Sequence, residues 1–569
     1  MRPSIVRRVC EPADDLPVPP LLQRIYAARG LHSPHELQRE LRWLTPPGAL
    51  LHMERAVELL YTALRARWRI LIIADFDADG ATSCALALRA LRALGAAWVD
   101  YRVPNRFKHG YGLTPEIVAV AAEERPDLLI TVDNGISSHD GVRAAQALGM
   151  KVLITDHHAP GRELPAAEAI INPNQPGDGF PSKNIAGVGV IFYVLMALRA
   201  RLRDAGWFAE RGLAELNLAQ FLDLVAFGTV ADVVRLDHHN RILVEQGLRR
   251  IRQGLSVPGI AALCEITGRP QASLSASDIG FYLAPRLNAA GRLEDMRQGI
   301  ECLLTDDLDT ARAIARRLHE INRQRGELTA TMEAQALMRI EHLNDQALPV
   351  GLCLFDAEWH QGVVGIIAGR LKERLNRPVI VFATDRDGWI KGSGRSVPGM
   401  HLRDVLAAIA TDHPGLIRHF GGHAMAAGLT LAEADFPQFA TAFDAETRHW
   451  LSEEDLHGQL LSDGELAPNE FSLEVAECLR QGGPWGQGFP EPLFDGVFAV
   501  RSHQVMKTQH LKLQLQPPGA DLTLEAVAFN HAGVFIPGTA RVRIAYRLEV
   551  NEWRGQRRLQ LLIAHLEAA

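Results

Sequence analysis

The sequence predicts an α/β protein, with two α/β domains joined by a long helix and an OB-like β-barrel at the C-terminus. Three observations predict it. From about residue 55 to 160, apolar strand-like runs alternate with helical stretches such as Thr82 to Leu94 and Thr114 to Glu124, the rhythm of βαβ units on a parallel sheet. From Asp306 to about Leu343 runs a Pro-free segment rich in Ala, Arg, Glu and Leu. As one helix it would span over ~50 Å at ~1.5 Å per residue. Beyond about residue 456 the pattern changes to short strand-like runs.

Residues 1–50 carry Pro and Leu and are expected to form short helices on the main body. A first α/β domain follows over 51–305, its part from 185 to 265 mainly helical. The connecting helix occupies 306–344; two helices broken near Gly326 are the alternative. A second α/β domain covers 345–455, with strand-like Val350 to Phe355 and Pro378 to Ala383 around a helix near 362–375. The last domain, 456–569, has strand-like runs at Leu511–Leu515, Leu522–Phe529, Ala540–Leu548 and Arg558–Ala564. Residues 501–569 hold nine Lys or Arg against five Asp or Glu, reversing the sign of the whole chain. A barrel with a basic face suits single-stranded nucleic acid. A β-domain with a merely solvated charged face is the other reading.

Composition narrows the function classes. At 569 residues, 47% hydrophobic and 22% charged, the chain has the make-up of a globular protein of several domains. No apolar run of about 18 residues suggests a membrane span. The basic N-terminus lacks the apolar core of a secretory signal. Six scattered cysteines without C-x-x-C spacing argue against a disulfide framework or zinc ribbon and for a reducing, cytoplasmic setting. With a net charge of -7, any nucleic-acid binding must use local basic surface.

The chemistry lies in three clusters, each just after an apolar run. Ile70 to Ala74 leads into Asp75-Phe76-Asp77-Ala78-Asp79-Gly80. Leu128 to Val132 leads into Asp133-Asn134-Gly135, and Val152 to Thr155 into Asp156-His157-His158. Carboxylates and imidazoles at successive strand ends converge on the crevice where open α/β sheets bind ligands. So much negative charge is held together by cations, and the pattern reads as a metallo-phosphoesterase. A calcium-binding EF-hand loop fails, because its bidentate acid would fall at Leu86. Gly80 allows a tight turn, and a helix starting near Thr82 would leave N–H groups at the crevice. Asp133 could bridge two ions, and the nitrogen of His157 tilts the choice toward Mn²⁺ over Mg²⁺. Asp232, in Gly228-Thr229-Val230-Ala231-Asp232-Val233-Val234, would close the site, a helix cap being the alternative.

In this order, D-F-D-A-D-G, D-N-G, D-H-H and G-T-V-A-D-V-V resemble the four motifs of the DHH phosphoesterase superfamily. Trp359 to Ile366, Ser393-Gly394-Arg395-Ser396 and Gly421-Gly422-His423 resemble its DHH-associated substrate domain. Ala284 to Arg292 and Gly486 to Pro492 narrow the resemblance to the branch that degrades single-stranded DNA from the 5′ end, over nearly the whole chain from about residue 50. Two small departures are Phe76 where Tyr is common and Arg235 where Pro is expected; neither is a metal ligand.

The resemblance implies a set of roles. Asp77, Asp79, Asp133, His157 and Asp232 would hold two Mn²⁺ or Mg²⁺ ions, with Asp75 and Asp156 orienting ligands. His158 would contact the phosphate or assist the leaving oxygen, and Arg286 and Arg292 would steady charge on the reacting phosphate. Arg106, Ser393 and Arg395 resemble a pocket for a terminal 5′-phosphate, with Gly421, Gly422 and His423 offering N–H groups nearby. Tyr111 could stack on a base, and Asn288 belongs to the substrate-binding set. A narrow channel between the two α/β domains would admit one strand and exclude a duplex. The implied function is degradation of single-stranded DNA to 5′-mononucleotides in repair and recombination, with a single-strand-binding protein and a helicase as expected partners. A bridged two-domain chain with an appended barrel has enough surface to work as a monomer. Two other readings are weighed. A phosphoesterase for short oligonucleotides or cyclic dinucleotides, or a pyrophosphatase, would not need residues 456–569. A non-catalytic DNA-binding scaffold would have lost ligands that are all present here.

Overall fold

The computed structural model describes residues 3–9, 11, 15–105, 109–343, 348–386, 388–533, 535–553 and 555–569. The chain divides into two compact units, one of Met1–Arg7 with Asn322–Ser462 and the other of Arg8–Ile321 with Asp463–Ala569. Strand Ser4–Arg7 (β1) therefore belongs with the second α/β domain rather than with the adjacent N-terminal segment.

In the larger unit, β2 (Arg69–Ala74), β3 (Trp98–Arg102), β4 (Leu128–Val132), β5 (Lys151–Thr155) and β6 (Ala169–Ile171) form a parallel sheet in the order β3-β2-β4-β5-β6. Ile70, Ile72 and Ala74 pack into one core and Leu71 and Ile73 into another. Burial on both faces is why the strand reads as a continuous apolar run. The chain goes to β3 on one side of β2 and to β4 on the other. The C-terminal ends of β2 and β4 thus flank the topological switch point. Helix Ala78–Ala93 follows β2 and is buried almost all round, as its run of Ala and Leu dictates. It begins four residues before the expected Thr82. Helices Gly187–Asp204, Leu222–Ala231, His238–Arg252 and Pro258–Thr267 supply the predicted helical region.

The barrel lies in the same unit and closes in the order β13 (Phe494–Met506), β14 (His510–Gln516), β15 (Leu524–Ala528), β17 (Gln556–Ala568), β16 (Arg541–Trp553). Its interior Phe494, Phe498, Leu511 and Leu513 join the core of the α/β domain. The N-terminal segment forms the helix Pro20–Ala27 and several 3₁₀ turns. It packs where Arg29 makes a buried two-point contact with Asp463 at 2.9 and 3.1 Å and Tyr26 lies 6.0 Å from the ring of Phe489.

In the smaller unit, β7 (Leu352–Phe355), β8 (Val379–Arg386), β9 (Trp389–Arg395), β10 (His419–Gly422) and β11 (Ala426–Ala432) form a mixed sheet in the order β10-β11-β9-β8-β7. β12 (Gln459–Ser462) pairs in parallel with β1. The connecting helix runs unbroken over Leu308–Leu343, with open space around Gly326.

Candidate functional site

The sequence clusters meet at the switch point. Asp75 ends β2 and takes the N–H of Phe76 at 2.7 Å. Asp77 caps the next helix, its Oδ1 accepting the N–H groups of Asp79 and Gly80 at 3.0 Å each. The N–H of Ala78 goes to Asn288 Oδ1 at 2.8 Å. The first amides of this helix are therefore occupied, correcting the expectation that they stay free at the crevice. Asp79 points to the amino end of helix Gly187–Asp204, where it accepts from Gly187 at 2.7 Å and Val188 at 2.9 Å. A Cβ at Gly187 would lie 2.6 Å from that of Asp133, so only glycine fits between these carboxylates.

Asp133 turns the chain at the end of β4 with φ 62°, a conformation Asp tolerates better than most residues. The Asn134 amide ties this end to β2 by donating to Ile73 O at 3.0 Å. Nε2 of His157 lies 3.1 Å from Asp133 Oδ1, 3.4 Å from Asp232 Oδ2 and 4.0 Å from Asp79 Oδ2. Asn174 and Asn172 hold the carbonyls of His157 and His158 at 2.6 and 2.9 Å. Asp156 accepts from the N–H of Ile136 at 2.9 Å and from Nδ1 of His158 at 2.7 Å, which fixes the His158 ring. Tyr111 lies over the edge of the site, its hydroxyl 3.4 Å from the His158 ring nitrogens and its ring half exposed.

Three groups of ligand atoms each converge within 4.8 Å: Asp75, Asp77 and Asp133; Asp79, His157 and Asp232; and Asp133, His157 and His158. Asp133 and His157 each stand in two of them. Burial, then the charges of the neighbouring acids, pushes the carboxyls of Asp79, Asp133 and Asp232 above the usual range. Among the described residues Asp133 Oδ1 is buried without a well-formed hydrogen bond, the His157 ring nitrogen lying 3.1 Å away. Hard oxygen donors, mutually repelling, with imidazole nitrogen from His157 and His158 beside them, fit divalent Mn²⁺ or Mg²⁺. Asp156 differs. Burial opposes its ionisation, but the hydrogen bond and charge of His158 hold it below the usual range. For His158, burial acts downward, and Asp156, Asp75 and Asp232 outweigh it to raise the imidazole to about 9.

Of the two arginines, Arg292 is lowered by burial and held up by the charge of Asp77, while Arg286 donates to the carbonyl of Tyr282. Arg106 lies outside the described residues. Ser393 and Arg395 sit in the smaller unit on β9, where Arg395 Nη1 donates to Ser393 Oγ at 3.1 Å. Helix Val364–Leu375 brings its first turn against them, since a Cβ at Gly365 would lie 2.8 Å from Ser393 Oγ and 3.1 Å from Arg395 Nη2. Gly421 stands opposite Gly428, itself opposite Ser393; Gly422 has φ 141°, and the N–H of His423 closes the turn on Ala426 O at 2.8 Å. The residues missed in the sequence are Gly187, Val188, Asn172 and Asn174. Gly-x-Gly before an apolar helix and Asn-Pro-Asn after β6 were the available signals.

Three family models cover most of the chain. They are the DHH family N-terminal domain over residues 69–229, the DHHA1 domain over 347–449 and the RecJ OB domain over 462–565. The single-stranded-DNA-specific exonuclease RecJ of Dickeya dadantii is 54% identical over 553 residues, covering 96% of both chains. That of Escherichia coli is 51% identical over 566 residues, covering 98% of both. The crystal structure of RecJ with Mn²⁺ from Thermus thermophilus matches with a TM-score of 0.81 at 31% identity, over 100% of this chain and 79% of that one, and the same protein is known with Mg²⁺. The chain belongs to the RecJ family of single-stranded-DNA-specific exonucleases.

Proposed function

We propose that this protein removes nucleotides one at a time from the 5′ end of single-stranded DNA, using the acidic cluster at the switch point. The observation that carries the reading is the convergence of three groups of ligand atoms, linked to one another through Asp133 and His157. Bound there, Mn²⁺ or Mg²⁺ supplies a nucleophilic water at neutral pH and neutralises charge on the phosphate.

The chain's own residues do the rest. Asp79, held by two amides, and Asp133, on its fixed turn, keep the ligand set rigid before substrate arrives. His158, anchored on Asp156, is the proton donor to the departing 3′-oxygen of the terminal nucleotide. Arg292 offsets charge beside Asp77. Tyr111 offers an exposed ring for a base. The phosphate stays with the shortened strand, so each cut leaves a new 5′-phosphate. Ser393 and Arg395, with the first turn of helix Val364–Leu375 and the Gly421-Gly422-His423 turn, are suited to hold that group.

Free thiols at Cys84, Cys264, Cys302, Cys353 and Cys478 agree with a cytoplasmic setting, and no described helix is long and apolar enough to cross a membrane. We infer a monomer that takes strands exposed by a helicase and coated by a single-strand-binding protein, in repair and recombination.

The test is a 5′-phosphorylated single strand labelled at its 3′ end, incubated with Mn²⁺ and sampled over time. Progressive shortening of the labelled strand with release of 5′-mononucleotides, lost in Asp133→Ala, is expected. An intact strand with short oligonucleotides or cyclic dinucleotides cleaved instead would overturn the reading.

A further inference from the structure

The turn that carries Asp232 out of its helix is built from a residue unsuited to it. Helix Leu222–Ala231 ends with Asp232 still helical at φ -77° and ψ -9°, and the chain then reverses at Val233 with φ 60°. For a β-branched residue that conformation is a genuine outlier. Glycine or asparagine would make the same turn with less strain. Burial gives no compensation, because Val233 is 64% exposed. Strain kept beside a ligand, with a side chain that packs on little, points to a task outside the fold.

A second apolar side chain stands open on the adjoining element. Residues Ile279–Leu283 form a π-helical turn, a rare element frequent at functional sites. It packs on the helix of Asp232, since a Cβ at Gly280 would lie 3.6 Å from Val230 Cγ1. Phe281 on this turn is 76% exposed. Its neighbour Tyr282 is covered differently, with the Arg269 guanidinium 3.6 Å from the ring centroid. The turn runs straight into helix Ala284–Leu293, whose Asn288 holds the Asp77–Asp79 turn through Ala78. Val233 and Phe281 are thus tied, on either side, to backbone that positions metal-binding carboxylates.

We propose that Val233 and Phe281 form an apolar rest for the DNA strand, with Phe281 stacking on a base and Val233 supporting the adjacent sugar, so that the scissile phosphate enters in one register. The occupant is single-stranded DNA because Val233 directly follows Asp232 of the cutting site, Phe281 stands on the element packed against that helix, and both side chains are exposed and without a group that reads base identity. Stacking is available from every base, so the contact is sequence-independent. The proposal rests on the reading of the Asp133 cluster as that site.

The experiment compares full-length Val233→Gly and Phe281→Ala with the parent on two 5′-phosphorylated single strands, one ordinary and one with abasic residues through its first several positions. KM, kcat and melting temperature are measured for each protein. On the ordinary strand Phe281→Ala is expected to raise KM ~10-fold with a smaller change in kcat. On the abasic strand its penalty disappears. Val233→Gly is expected to melt at or above the parent temperature, since the strain is gone, and still to raise KM. Parent-like KM in both variants, or an equal Phe281→Ala penalty on both strands, would overturn the proposal. Failure of the underlying reading shows separately, as Asp133→Ala that still cuts.

Discussion

Asp79 and Gly187, 108 residues apart in sequence, meet at 2.7 Å through a carboxylate oxygen and the first amide of a helix. The helix N-terminus stabilises a buried negative charge that the surrounding acids destabilise. Gly187→Ala would drive a Cβ to 2.6 Å from that of Asp133. Overpacking of this kind costs about 1–3 kcal/mol. Displacing two ligands at once should lower cleavage ~100-fold or more. Mn²⁺-dependent cleavage and a thermal melt read the two effects, and a variant with parent activity would show that the close approach is not needed.

Removing one repelling acid should have opposite effects on stability and function. Asp133 is raised by burial and then by Asp79, Asp77 and Asp232. Asp133→Asn should therefore melt higher than the parent in EDTA, yet gain nothing from added Mn²⁺. Its activity should fall by more than the ~10–100-fold typical of losing an outer partner. Paired melts with chelator and with Mn²⁺ decide it; a lower melting temperature in EDTA would contradict the charge account.

His158 depends on Asp156 for its orientation and its proton. Asp156→Asn keeps the shape but removes the charge that raises the imidazole. We expect kcat to fall ~10–100-fold with a smaller change in KM. Single-turnover cleavage measures this, and an effect confined to KM would assign Asp156 to strand binding instead.

Arg395→Ala should reduce the preference for a 5′-phosphate over a 5′-hydroxyl. A hydrogen bond to a charged group is worth about 1.5–3 kcal/mol, or ~10–100-fold. The ratio of kcat/KM for the two strands is the measurement, and an unchanged ratio would move the end-recognition site elsewhere.

Glu549 on β16 gives a pH dependence away from the metals. Burial, then the charges of Glu491 and Asp278, raises its carboxyl from 4.5 to about 7, against Arg547 and Arg269. The folded protein thus binds this proton more tightly than the unfolded chain does. The destabilisation is full above about pH 7 and is relieved as pH falls through 7 toward 4.5. Glu549→Gln should melt above the parent at pH 8, with the difference vanishing near pH 5. A difference independent of pH would show that charge is not its cause.

Much of the site was legible because its acids sit at strand ends. Ile70 to Ile73 and Leu128 to Val132 announce themselves as buried strands, so Asp75 and Asp133 could be placed on one edge without coordinates. The groups that hold them could not. Gly187 and Val188 act through backbone amides, so Gly-x-Gly marks only a close approach and not its partner Asp79, and Asn172-Pro173-Asn174 reads equally as an ordinary turn. Strand β13 leaves little trace in the sequence because its outer half, from Arg501 to Val505, is exposed and polar as well as apolar.

The sequence by itself determined the α/β class, the long helix, the barrel and the identities of the acids and histidines, because periodicity and ligand chemistry are local properties. Tertiary structure alone decided that β1 pairs with β12 and that Asp156 serves His158. It also decided that the amides after Asp77 are already occupied and that Val233 is held left-handed beside Asp232. Those are relations between residues far apart in the chain or between side chain and backbone. Packing sets them, and no stretch of sequence encodes them alone.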